Sequence, residues 1–160
     1  MVISTFFKRL LFAREIEIDK ELKVLGNREI MVSPEFIVKL QNKYAKQIYE
    51  FAEETFSNEI EHIKNSTGVT GMKLLELSLN LLNLYGLGKF EIMELKKKEV
   101  IINLTFSPFA KLSKGKNCIL IAGALAGVFK IFFNKKVRCE EVVCEGEGKL
   151  YCQFVVKVKG

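Results

Sequence analysis

"NCILIAGALAGVFKIFFNKKVRCEEVVCEGEGKLYCQFVV", residues 117–156, is the stretch on which the rest of the chain turns. Cys118 opens a 16-residue apolar run that carries Gly123, Ala124, Ala126 and Gly127. A membrane-spanning helix needs about 20 apolar residues, and Lys130 interrupts this run, so it reads as a buried helix. Its small residues admit a close neighbour: the sheet on the plain reading, or a second copy of the chain by analogy with small-xxx-small contacts. Beyond it, "VRCEEVVC" and "LYCQFVVKV" flank Gly146 and Gly148 and read as a β-hairpin.

Three of the four cysteines, Cys139, Cys144 and Cys152, lie in that hairpin. Centred near Gly148, it sets Cys144 opposite Cys152, with Cβ atoms about 4.5–5.5 Å apart. Glu141 is an odd number of residues from Cys144 and would face the other side of a regular strand. A bulge or twist between them is therefore expected. Cys118 joins from the helix start. Three thiolates and one carboxylate suit tetrahedral zinc and leave no position for water, which makes a structural site. Such a site is net negative, and Lys114, Lys116 or backbone N–H groups would offset it. On the residues alone an alternative stays open, that of reduced, buried cysteines serving as small hydrophobes, because no C-x-x-C pair is present.

The chain of 160 residues, 49% apolar and 28% charged, fits a single domain over residues 1–160 with a true core. Its net charge of +6 comes from 25 basic and 19 acidic residues, clustered locally only at Lys96, Lys97 and Lys98. The arginines are only Arg9, Arg14, Arg28 and Arg138, so a nucleic-acid partner is not expected. "MVISTFFKRLLFAR" is broken by Lys8 and Arg9 and lacks a small-residue cleavage site. No secretory signal is read there, and the thiols are expected to stay reduced in the cytoplasm.

"EIEID" at 15–19 alternates like a strand, and "LKVLGNREIMV" reads as a hairpin turning at Gly26 and Asn27. Ser33 and Pro34 mark a helix start. Phe36, Leu40, Tyr44, Ile48, Phe51, Phe56, Ile60 and Ile63 then draw a stripe along about thirty helical residues, broken at most once. "NSTGVTG" at 65–71 is a loop. A second helix follows, leucine-rich around a narrow polar stripe of Lys73, Glu76, Asn80 and Asn83, to be buried on most of its circumference. "KFEIMEL" and "EVIINLTF" form a hairpin across the lysine triplet. Hairpins separated by grouped helices, without βαβ alternation, predict an α+β domain on an antiparallel sheet.

The joint spacing, a cysteine opening a Gly/Ala-rich helix followed by E-x-x-C-x(7)-C-x-F at Glu141, Cys144 and Cys152, resembles the C-terminal half of the 4-vinyl reductase domain over roughly residues 86–158. That resemblance implies the fold of the small core subunits of the TRAPP tethering complex, the ligand-binding domain type of NO-signalling and Golgi-transport proteins. Helices pack on one side of an antiparallel sheet, with an apolar cavity between. It also implies zinc on Cys118, Glu141, Cys144 and Cys152, with Cys139 a free thiol. Stand-alone archaeal members of the family are called hydrocarbon-binding proteins, and the domain senses phenols in bacterial regulators. The expectation is thus a binding protein for an apolar small molecule, its pocket lined by Leu82, Tyr85, Phe106 and Phe109.

Two alternatives stand beside it. One is a homodimeric interaction scaffold using the long first helix or the Gly/Ala helix. The other is a reductase accessory. No catalytic residue declares itself: "GLGKFE" sits after a helix and before a strand, the reverse of a dinucleotide fingerprint, and His62 has no partner nearby in sequence.

Overall fold

A computed structural model describes residues 16–18, 22–24, 27–29, 31–112 and 115–160. The chain divides into two compact units, Met1–Ser33 and Pro34–Gly160. In the first, β1 (Ile16–Ile18), β2 (Leu22–Val24) and β3 (Asn27–Glu29) form an antiparallel meander. Asn27 pairs with Val24 and so opens β3 instead of lying in the connection.

In the second unit Pro34 begins α1 (Pro34–Lys43), where its missing N–H costs nothing. Tyr44, at φ −131° and ψ 45°, breaks the helical path before α2 (Ala45–Thr67). Gly68 ends α2 in the left-handed conformation and returns its N–H to the Lys64 carbonyl. There follow α3 (Gly71–Leu84), β4 (Lys89–Leu95), β5 (Glu99–Thr105), α4 (Ile119–Phe133), β6 (Val137–Val143) and β7 (Cys152–Val158). Short 3-10 turns stand at Ala110–Leu112 and Glu145–Glu147.

The four strands pair antiparallel in the order β4-β5-β7-β6. Alternation along β5 and β7 buries Val100, Ile102, Leu104, Cys152, Phe154 and Val156 on one face. That face is the one α4 covers. The expected α+β architecture on an antiparallel sheet is what the chain adopts. Among the described residues no helix is long and apolar enough to cross a membrane.

Two expectations about the helices are corrected. The small residues of α4 face α2, neither the sheet nor a second copy: a Cβ on Gly123 would collide with the Tyr49 carbonyl and Ala52, and one on Gly127 would lie 2.6 Å from the Glu53 carbonyl. Such close backbones leave no room for large side chains. The buried face of α1 and α2 therefore runs through Val38, Gln41, Ala52, Phe56, Ser57 and Ile60, while Tyr44 and Phe51 of the expected stripe are 41% and 63% exposed. The second correction is to α3, which buries one broad face, Leu74, Leu75, Ser78, Leu81 and Leu82, with Met72 exposed. It lies beside the sheet and is not wrapped by it.

Candidate metal centre

Cys118 is the N-cap of α4, but its side chain makes no capping bond. Its sulfur is used elsewhere. The amides of the first turn are satisfied from distant elements: Glu141 Oε2 accepts the Cys118 N–H at 3.0 Å, and Gln41 Oε1 accepts the Leu120 N–H at 2.6 Å. Gln41, fully buried on α1, also donates through Nε2 to the Asn117 carbonyl at 3.1 Å. It thereby fixes both sides of the segment that presents Cys118. Sequence reading missed Gln41; its only signal is a polar residue three positions after Val38, on the face that turns out to be buried.

The β6–β7 ladder slips between Glu141 and Val143: Glu141 stands opposite Phe154, but Val143 stands opposite Gln153. The extra residue, Val142, is 37% exposed. This is the irregularity the spacing requires. It lets Glu141 and Cys144 serve one point although a regular strand would separate them. Past Cys144 the chain turns through Glu145–Glu147 to Gly148 at φ +79°, and returns Cys152 beside Cys144. The turn also aims amides at the sulfurs: Gly146 N–H donates to Cys144 Sγ and Glu145 N–H to Cys152 Sγ, each at 3.4 Å. Ser107 Oγ lies 3.4 Å from Cys118 Sγ and accepts the amides of Phe109 and Ala110.

The structure brings Cys118, Glu141, Cys144 and Cys152 together, with one donor atom from each inside a set spanning 4.8 Å. Cys118 Sγ is 3.8 Å from Cys152 Sγ, which is 3.9 Å from Cys144 Sγ. All three sulfurs are free and fully buried. These separations are far beyond the roughly 2.05 Å of a disulfide. They match the roughly 3.8 Å between two sulfurs that sit tetrahedrally at about 2.3 Å from one zinc ion.

Glu141 Oε1 is buried and accepts no hydrogen bond, and Glu145 Oε2 is in the same state. An orphaned carboxylate oxygen beside three thiols is what a cation would satisfy. The donor set therefore fits a divalent ion. Without one the sulfurs compete for protons. The contact with Cys152, followed by burial, holds the Cys118 thiol above its ordinary range, and burial pushes Cys144 up to about 12. The bond from Cys118 holds Cys152 below its ordinary value.

Of the lysines expected to offset the charge, Lys114 lies outside the described residues and Lys116 is exposed, in a shallow cleft it shares with Tyr49, Cys118 and Glu141. The visible offset comes from amide N–H groups. Cys139 is buried apart from the four-atom set; its N–H donates to Tyr49 Oη at 3.0 Å.

The pocket candidates are dispersed in character. Leu82 and Phe109 are buried in the core. Tyr85 donates its hydroxyl to Glu59 and meets Phe56 edge to face. Phe106, at φ +62°, is 80% exposed. An open groove of about 420 Å³ between α3 and β4 is lined by other residues: Met72, Lys73, Leu75, Glu76, Leu79 and Ile92.

Residues 107–158, which contain all four clustered side chains, match the family model of the vinyl-4-reductase domain. The phenol-responsive sensory domain of the transcription activator PoxR with phenol superposes at a TM-score of 0.79 and 13% identity, over 98% of this chain and 92% of its own. A vinyl-4-reductase family protein from Methanocaldococcus jannaschii is 26% identical, with a TM-score of 0.58 over 78% of this chain and 76% of that one. Subunit 3 of the trafficking protein particle complex from Naegleria fowleri, covalently bound to palmitic acid, gives 0.57 at 13% identity, over 79% and 95%. A search of curated proteins finds no match.

Proposed function

We propose, because residues 107–158 match the vinyl-4-reductase domain, that this chain is a cytoplasmic binding protein for an apolar small molecule, stabilised by a structural zinc ion on Cys118, Glu141, Cys144 and Cys152. The observation that carries the metal reading is the spacing of its donors: sulfurs 3.8 and 3.9 Å apart beside an unpartnered carboxylate oxygen. Three thiolates and a carboxylate complete a tetrahedral shell, so the ion would cross-link the start of α4 to the last hairpin without offering a reactive site.

The apolar-ligand reading is supported by the groove between α3 and β4, whose Met72, Leu75, Leu79 and Ile92 present hydrocarbon with Lys73 and Glu76 among its lining. The family match and the shared fold of a phenol-responsive sensory domain point the same way. The ligand class is a phenol or a comparable hydrocarbon.

Metal analysis of the purified chain tests the first part. One zinc per chain is expected, lost in Cys152→Ser and kept in Cys139→Ser; a chain free of metal when purified without chelator overturns it. The second part is tested by mass spectrometry of co-purifying molecules and by melting with added phenol. Melting temperature should rise with ligand concentration and cease to do so in Leu79→Gln. A second reading, a homodimeric scaffold, is favoured by one observation, the exposure of Tyr44 and Phe51 along α1 and α2. Sedimentation of Phe51→Ser against the parent decides it.

A further inference from the structure

The fold gathers the charge that the sequence scatters. Lys96, Lys97 and Lys98 join β4 to β5, Lys135, Lys136 and Arg138 lead into β6, and Lys157 and Lys159 end β7. In the order β4-β5-β7-β6 these three segments share one end of the sheet. Backbone bonds tie them together: Val158 N–H donates to the Lys98 carbonyl and Lys159 N–H to the Lys136 carbonyl, each at 2.9 Å. Arg138 faces Lys157 directly across the ladder.

All eight basic residues are exposed. The acidic residues among them, Glu94, Glu99 and Glu140, pair with Lys96, Lys157 and Arg138 at 2.8, 3.2 and 2.7 Å. Eight positive charges against three negative ones leave an excess of five at this end, out of a net charge of +6 for the whole chain. Among the described residues no ion pair engages Lys97, Lys98, Lys135, Lys136 or Lys159. The metal cluster lies at the opposite end of the same strands.

We infer that this end of the sheet is a docking surface for an anionic lipid bilayer. Seven of its eight cations are lysines, compact charges on long flexible stems, not the planar forks that read bases and grip nucleic-acid phosphates. No exposed tyrosine or tryptophan stands there to stack a base. Met93 and Leu95, on the edge strand β4 next to the lysine triplet, are instead 54% and 38% exposed. Exposed apolar side chains beside lysines suit the headgroup boundary, where stems lie along hydrocarbon and ammonium groups meet phosphates.

The test is co-sedimentation of the full chain with vesicles of phosphatidylcholine containing about 30% phosphatidylserine, beside pure phosphatidylcholine vesicles. Binding is expected only to the anionic vesicles, and is expected to fall as salt rises from about 0.1 to about 0.5 M. Each lysine removed should weaken it about fivefold, so Lys97→Ser, Lys98→Ser and Lys159→Ser together should weaken it about a hundredfold. Melting temperature should be unchanged, because all three side chains are exposed. Absence of binding to anionic vesicles at low salt, equal binding to neutral ones, or an unaffected triple variant overturns the inference. So does retention on duplex DNA, lost in the same variant, when vesicles do not bind; the partner would then be nucleic acid.

Discussion

Tyr49 shows how one side chain can report on the packing beneath the site. It belongs to α2, and its hydroxyl accepts the Cys139 amide of β6. Burial raises its phenol from 10.0 to about 12, and the Cys139 bond lowers it in part. A phenol raised in the folded state stabilises the fold fully below its ordinary value, and that contribution is lost as pH climbs through the folded value. The parent should therefore lose stability between pH 10 and about 12 relative to Tyr49→Phe, read as the difference in urea midpoint between the two proteins. A constant difference across that window contradicts the assignment. Nothing in the sequence marks Tyr49, because a tyrosine on a helix carries no sign of which strand it will reach. The reverse holds for Cys144 and Cys152: a Gly-containing turn fixes which residues face each other in a hairpin, so local chemistry was enough to pair them and to require the slip at Val142.

At the scale of elements the least legible feature was which helix α4 would meet. The Gly/Ala pattern shows that something comes close, and long-range packing alone chooses α2 over the sheet. Gly127→Ala tests that choice. Its added methyl would lie 2.6 Å from the Glu53 carbonyl and 2.9 Å from the Ser57 nitrogen, against backbone that cannot rotate away. Overpacking of this kind costs about 1–3 kcal/mol, more than the gain in helix propensity from replacing glycine by alanine, about 1 kcal/mol. Urea denaturation should show net destabilisation; a stabilised variant would mean that the helices can part freely. Gln41 makes the second test. Gln41→Leu leaves the Leu120 amide and the Asn117 carbonyl without their buried partner, at about 1–3 kcal/mol for such groups. On the metal reading it should also weaken zinc about 10–100-fold, as for other residues that orient a ligand. Competition with a zinc-binding dye measures this. Gln41→Glu, which keeps the acceptor for Leu120 but loses the donor to Asn117, should fall between the parent and the leucine variant.

For the whole molecule, the four-stranded sheet and the cluster at its end are held by different forces. Val100, Ile102, Leu104, Phe154 and Val156 make a continuous apolar face, and the ladders β4–β5, β5–β7 and β6–β7 run without thiols in their bonds. Hydrophobic burial at roughly 25 cal/mol per Å² needs no ion. The 107–118 connection and the 141–152 tip, by contrast, are short of regular structure and bring three buried sulfurs and a buried carboxylate to one point. A metal would bear on those segments first. Chelation should therefore lower the melting temperature and remove amide-exchange protection from residues 107–118 and 141–152, while the middle of β5 and the α2–α4 crossing keep theirs. Cys118→Ser should reproduce the chelated pattern without chelator. If chelation instead unfolds every element together, the ion is a condition of the whole fold, as in a zinc finger. If it changes no protection anywhere, the cluster is a set of buried thiols and the zinc reading fails.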